Sequence, residues 1–263
     1  MLPADQNRID VIDALRGVAV LGILWINMPG HAFPFFAIWD PYVAGGGNPW
    51  NIGFWSFSEV TIEGAMRGLF SLLFGASIVL FLRTESQPET PMRRADLYMR
   101  RNLWLVVFGL VHGFLLLMPG DILYTYGICA LILFPFRLAT PKQLAWLGVA
   151  STLVLAAVAG LEAAENADIR AAAFSPGASE EALIAWENLQ RPGPQTLDAL
   201  TDSALGGYLD TLAPYANEYA NTIFSRDYVF YLLDAMAVMF FGMALMKAGT
   251  LSGAFNLRRY FVW

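Results

Sequence analysis

The sequence predicts an all-α fold: a polytopic transmembrane helix bundle of about six spans with an external acidic loop. Three observations carry that prediction. The composition is 57% hydrophobic and only 14% charged, against roughly 45–50% and about 25% in a soluble domain. The apolar residues gather in separated stretches of membrane-crossing length. The basic residues cluster in alternate connections, and one long segment is acidic. A water-soluble chain of 263 residues has too little interior to hide so much apolar surface. Soluble enzymes, disulfide-stapled secreted domains and disordered chains are excluded. Cys129 is the one cysteine and His31 and His112 the two histidines, so neither a disulfide framework nor a Cys- or His-rich metal centre is expected.

The first span runs from Val11 to about Met28 and is read as uncleaved, because no small-x-small processing site follows it. The second covers about Phe57 to Leu82, the third Leu103 to Met118 and the fourth Ile122 to Phe136. Only Pro119-Gly120-Asp121 separates the last two, which predicts a helical hairpin. The fifth span covers Leu144 to Leu161 and the sixth Tyr228 to Met246. Three regions follow: a five-span amino-terminal membrane region, 1–163, an external acidic loop, 164–227, and the sixth span with what comes after it, 228–263. The stretch from Glu162 to Asp227 holds eleven Asp and Glu against Arg170, Arg191 and Arg226. Within it Ser179-Glu180-Glu181 opens a helix, and Leu197, Leu200, Leu205, Tyr208 and Leu212 suggest further short ones. The final stretch, Phe255–Trp263, is apolar and basic and reads as the entry to another span.

The charges orient these spans. Arg83, Arg93, Arg94, Arg100 and Arg101 lie between spans two and three, and Arg137 and Lys142 between four and five. Lys247, Arg258 and Arg259 follow span six, whereas residues 31–55 contain no Lys or Arg. The positive-inside rule then puts the amino terminus in the cytoplasm.

Ionisable groups inside spans cost at least ~2.5 kcal/mol each at the bilayer centre, so each is a candidate for function. Asp13 and Arg16 share one face of span one. Asn27 lies about three turns further along the same face, roughly 16 Å away. On span two, Glu63 and Arg67 are four residues apart and can pair. The stripe Gly64, Gly68, Ser71 and Gly75 suits close helix packing. His112 on span three and Asp234 on span six each lie about two turns from the outer end, and Asp121 is placed as an N-cap. Asn27, Glu63, Arg67, His112, Asp121 and Asp234 therefore all fall in the outer half, which predicts a polar cavity open to the outside. His112, Glu63 and Arg67 are its candidate catalytic residues, with His112 or Glu63 handling protons. Asp13, Arg16, Asn27, Asp121 and Asp234 are candidate substrate contacts.

Three stretches also carry a resemblance. Arg8-Ile9-Asp10-Val11-Ile12-Asp13-Ala14-Leu15-Arg16-Gly17 with Gly22 and Asn27 resembles the opening of the YeiB family of bacterial inner-membrane proteins. So do Leu69-Phe70-Ser71-Leu72-Leu73-Phe74-Gly75-Ala76 and the segment from Phe108 through His112 and Gly120-Asp121 to Tyr126. The likeness runs over nearly the whole chain and implies an inner-membrane location, with further spans beyond residue 263 in family members. That family is in turn similar to transmembrane acyltransferases, which implies transfer of an acyl group from a cytoplasmic thioester to an external envelope glycan or lipid. Acyl-coenzyme A is the donor so implied, and no bound cofactor is. In one acyltransferase branch a His stands where this chain has Asn27. In another it stands three residues before a Trp-Asn pair, where Gly47 precedes Trp50-Asn51. Both departures remove the expected base, and His31 is the nearest substitute in sequence. A transporter or channel for a small solute, and an inactive membrane scaffold, remain as alternatives. The bilayer is the expected partner, and no nucleic-acid-binding patch or phosphate loop occurs.

Overall fold

The structure is a computed structural model that describes residues 10–33, 38, 40–44, 46–82, 90–118, 121–190, 198, 201–202 and 205–251. Among these, all regular elements are helical. Helix α1 is Asp10–Ala32. Helix α2, Pro49–Ser58, runs through a π-helical turn, Glu59–Glu63, into α3, Gly64–Leu82. Then come α4, Pro91–Phe114, α5, Ile122–Leu133, and α6, Pro141–Ala173. Helices α7, Glu180–Gln190, α8, Tyr208–Ile223, and α9, Arg226–Ala248, complete the set. Short 3-10 turns cover Pro41–Ala44 and Phe134–Leu138.

Several helix starts use one device. Asn48, Thr90 and Thr140 each precede a proline, and each side-chain oxygen accepts the N–H three residues on. Proline at the first helical position loses nothing, since its N–H would have had no partner there. Thr140 and Gln143 complete a reciprocal capping box on α6. Asp121 and Ser225 cap α5 and α9 singly, accepting the Tyr124 and Tyr228 N–H groups, with no proline following. At the other end of α9, Gly249 takes the left-handed conformation (φ 86°) that stops the helix.

Among the described residues, four stretches are long and apolar enough to cross a membrane: Val11–Gly30, Pro49–Leu82, Pro141–Ala173 and Arg226–Ala248. The other two expected spans take a different form. Helix α4 has 24 residues, but Arg93, Arg94, Asp96, Arg100 and Arg101 occupy its first half, leaving an apolar run only from Leu103. Helix α5 has 12 residues, continued by five in the 3-10 turn where Pro135 interrupts the α pattern. The two pack as the antiparallel hairpin the sequence predicts. Gly109 meets Tyr124, Val106 meets Gly127, and the Tyr98 hydroxyl donates to the Ala130 carbonyl at 2.8 Å.

Two spans are longer than their sequence boundaries. The second begins at Pro49 rather than Phe57, and the fifth continues from Leu161 to Ala173, so the first ten residues assigned to the acidic loop extend α6. The described part of the remaining loop is largely helical in α7 and α8, with Ser179 accepting the Ala182 N–H at the α7 start. The segment 252–263, with the expected further span, lies outside the described residues.

Helix α9 packs against both α3 and α6. A Cβ on Gly75 would overlap the Met239 backbone, and one on Gly242 would overlap that of Leu72, so α3 and α9 touch through their main chains. Of the small-residue stripe, Ser71 and Gly75 are buried, while Gly64 and Gly68 face open space. Around this crossing Leu73, Cys129, Leu133, Leu144, Met239 and Met243 are fully buried. Helix α1 lies on α3 and turns Val11, Val18, Leu21 and Leu24 outward. An outer surface of exposed Leu and Val is what lipid, rather than water, solvates.

Candidate functional site

Five of the candidate polar residues form two groups joined by a ladder of tyrosines. The first group is built on the α4–α5 hairpin. His112 sits near the end of α4 and Asp121 just before α5. Asp121 is the N-cap, with Oδ2 accepting the Tyr124 N–H at 3.1 Å. Its other oxygen, Oδ1, lies 2.8 Å from His112 Nδ1. The carboxylate is almost wholly enclosed, with 1% of its side chain exposed, whereas the imidazole is 38% exposed. In a neutral imidazole a carboxylate on Nδ1 places the proton on that nitrogen and leaves the lone pair on Nε2, which has no hydrogen-bond partner among the described residues.

The chain leaves α4 through Leu117, whose φ of 58° is left-handed, and the Met118 N–H closes on the His112 carbonyl at 3.3 Å. Leucine pays about 1–2 kcal/mol for that conformation, so the neighbouring contacts hold the turn in place. Two of them come from α8. The Tyr208 hydroxyl donates to the Leu115 carbonyl at 2.8 Å, and Tyr219 reaches the Gly109 carbonyl at 3.4 Å. The Tyr219 ring lies where a Cβ on Gly113 would stand and packs edge-on against Phe114. Burial, with Asp121 adding to it, pushes the Tyr219 hydroxyl above its ordinary pKa, so it stays a neutral donor.

The second group joins α3 to α9. Arg67 bonds Asp234 through Nη1 and lies 3.6 Å from Glu63 through Nε. The pairing expected from the sequence, Glu63 with Arg67, is therefore present, but the shorter contact crosses to another helix. One turn on, Ser71 donates to the Arg67 carbonyl or shares its proton with the Tyr126 hydroxyl, 2.6 Å away. Tyr124, Tyr228 and Tyr231 connect the groups, with ring centroids 5.9 and 6.0 Å apart. Tyr228 also bonds Thr125 at 2.6 Å, and Tyr231 lies within electrostatic reach of Arg67, Asp234 and Glu63.

Asp13 and Arg16 pair at 3.1 Å on α1, and Arg16 also donates to Ser77 of α3. Ser77 is ten residues beyond Arg67, about 15 Å along α3, so this pair stands apart from both groups. Asn27 is half-buried on α1, and no side-chain bond ties it to either group among the described residues. Of the eight candidate residues, the structure thus brings together His112 with Asp121, Glu63 and Arg67 with Asp234, and Asp13 with Arg16. The His31 side chain lies outside the described residues, and Trp50 is exposed at the start of α2. Tyr219, Tyr228, Tyr231 and Ser71 were not among the candidates. For Tyr219 the only signal was its place in a segment that reads as loop. Among the described residues no cluster of three His, Cys, Asp or Glu side chains could hold a metal.

No family model matches the chain, and no solved structure matches it. The chain is 30% identical over 257 residues to "Uncharacterized protein YeiB" of Escherichia coli K12, an alignment covering 97% of the chain and 60% of that protein. It is 34% identical over 149 residues to "Uncharacterized protein YxaH" of Bacillus subtilis 168, over 53% of the chain and 35% of the relative. A third relative, an uncharacterized 39.9 kDa protein in the amylase 3′ region of Bacillus acidopullulyticus, is 32% identical over 132 residues, 50% of the chain and 34% of its own. The chain thus spans three-fifths of YeiB and about a third of the other two.

Proposed function

The chain belongs to the YeiB family, and from that premise we propose that it is a multi-pass protein of the bacterial inner membrane, amino terminus in the cytoplasm, that passes an acyl group to an external acceptor. The donor is a cytoplasmic thioester such as acyl-coenzyme A, and the acceptor is a hydroxyl of an envelope glycan or lipid. The observation that carries this reading is the His112–Asp121 pair at 2.8 Å. A histidine oriented by an enclosed carboxylate, with its other nitrogen open, is the arrangement of a general base. The acceptor hydroxyl gives its proton to His112 Nε2 as its oxygen attacks the acyl carbonyl, and the thiolate leaves. Asp121 holds the ring and steadies the imidazolium that forms. This pair supplies the base missing at Asn27 and Gly47.

The test is the acyl content of envelope glycans and lipids in a deletion strain carrying either the wild-type gene or His112→Gln. Gln keeps size and polarity but cannot accept the proton. Acylation should fall by about 10²-fold or more, the scale of lost general-base catalysis. Full complementation by the Gln variant would remove His112 from the mechanism.

The Glu63–Arg67–Asp234 group supports a second reading, a transporter for a small solute. It stands on two of the membrane-crossing helices, where ionisable residues mark solute and proton paths. Loss of solute uptake in Asp234→Asn, with envelope acylation unchanged, selects transport over transfer.

A further inference from the structure

At the end of the bundle away from His112, α3, α4, α9 and the 3-10 turn surround a cavity of about 330 Å³. Arg94, on its wall, lies eighteen residues before His112 on α4, about 27 Å along the helix axis. Arg94, Arg137 and Lys247 supply its charge, and Val79, Leu82 and Leu138 part of its apolar lining. No carboxylate lines it among the described residues.

The cations are held in place by the fold. The Lys247 ammonium donates to the Arg137 and Ala139 carbonyls at 2.5 and 2.6 Å, tying α9 to the end of the 3-10 turn. An ammonium has three N–H groups, so one remains. The Arg137 guanidinium donates to the Phe134 carbonyl at 3.0 Å and lies 3.8 Å over the Phe134 ring. Neither Arg137 nor Lys247 has an ion-pair partner among the described residues. Arg137 and Lys247 are half-buried with no carboxylate beside them in the cavity among the described residues, and such cations are unfavourable until an anion joins them.

We propose that this cavity binds the phosphate of an anionic phospholipid headgroup. The volume is at the low end of small-molecule sites, which run from about 300 to 1,000 Å³, and suits a headgroup better than a nucleotide. The apolar wall continues to Leu138, which is 79% exposed and offers a surface for the acyl chains. The positive-inside bias puts this end at the cytoplasmic leaflet, where anionic headgroups enter basic pockets between helices. The proposal stands whether the outer site transfers acyl groups or moves a solute.

The test uses the full chain in detergent micelles doped with phosphatidylglycerol or phosphatidylcholine, read by thermal midpoint and by lipid retention in native mass spectrometry. Phosphatidylglycerol should stabilise the protein more than phosphatidylcholine and be retained. Arg137→Gln should weaken that preference about fivefold, the worth of one basic residue near an anionic surface. Leu138→Glu, at an exposed position where the fold survives, should weaken it at least as much by placing a carboxylate at the mouth. Equal effects of the two lipids in the wild type, or an undiminished preference in Leu138→Glu, would overturn the proposal. Stabilisation by inorganic phosphate or coenzyme A without a phosphatidylglycerol preference would assign the cavity to a soluble phosphate and overturn it too.

Discussion

Asp121 has two jobs on two oxygens, and substitution can separate them. Asn is as good an N-cap as Asp, whereas Ala loses about 1 kcal/mol. Asp121→Asn should therefore leave the melting temperature near the wild-type value and still lower acylation or uptake. Asp121→Ala should lose both activity and stability. If Asn retains full activity, Asp121 is a cap only. Arg67 allows a coupling test of another kind. Arg67→Met leaves Glu63 and Asp234 facing each other without a cation, and leaving a partner unmatched is worse than removing the pair. The double variant Arg67→Met/Asp234→Asn should then melt above Arg67→Met alone, and a lower or equal midpoint would show that the contact is not coupled. Each of these residues was legible in the sequence as a polar interruption of an apolar run. Their partners were less so. Spacing of four gives Glu63 with Arg67 on one helix, but nothing local links Arg67 to Asp234, 167 positions away. His112 and Asp121 are near in sequence, yet they meet across a turn that includes the left-handed Leu117, which spacing does not announce.

At the scale of the helices, the contact between α3 and α9 depends on which glycine is changed. Gly75→Ala puts a methyl group into the Met239 backbone, an overpacking that typically costs about 1–3 kcal/mol. Gly68→Ala meets nothing within 4 Å and gains up to about 1 kcal/mol of helix propensity. Melting of the two variants in the same detergent should move in opposite directions. A shared direction would mean that the α3–α9 crossing is not set by Gly75. Sequence periodicity places Gly64, Gly68, Ser71 and Gly75 on one stripe and cannot say which part of it α9 covers. The starts of α2, α4 and α6 lie at Asn48-Pro49, Thr90-Pro91 and Thr140-Pro141, signals that hydropathy does not use. Hydropathy alone places all three late, at Phe57, Leu103 and Leu144, because it passes over first turns that contain polar residues such as Asn51, Arg93 and Lys142. It also treats α4 as a short apolar span, when its basic first half belongs to the same helix.

For the whole molecule, the charge bias makes a prediction about sidedness. Single cysteines replacing Thr90, at the start of α4, and Ser175, at the end of α6, should react oppositely with an impermeant thiol reagent applied outside. Ser175 should label and Thr90 should not, while the native Cys129, fully buried, stays silent. The reverse pattern would invert the orientation. The all-α class and four of the six expected spans follow from composition and hydropathy, because lipid requires each helix to declare itself by its apolar length. The interior does not declare itself in that way. One cavity holding six polar residues is expected from depth alone, whereas the bundle divides them between two helix pairs and leaves Asn27 outside both. Depth fixes one coordinate of a helix and not its rotation. The length of α6 has a consequence of its own. Its 33 residues measure about 50 Å against a hydrocarbon core of about 30 Å. Standing upright in a bilayer, α6 would carry roughly 20 Å past the hydrocarbon core, and α7 is clipped to its far end where Phe174 and Arg170 meet Trp186. Gly148, in the first third of the same rod, packs against Phe241 of α9, so α6 links α7 to the helix that carries Asp234.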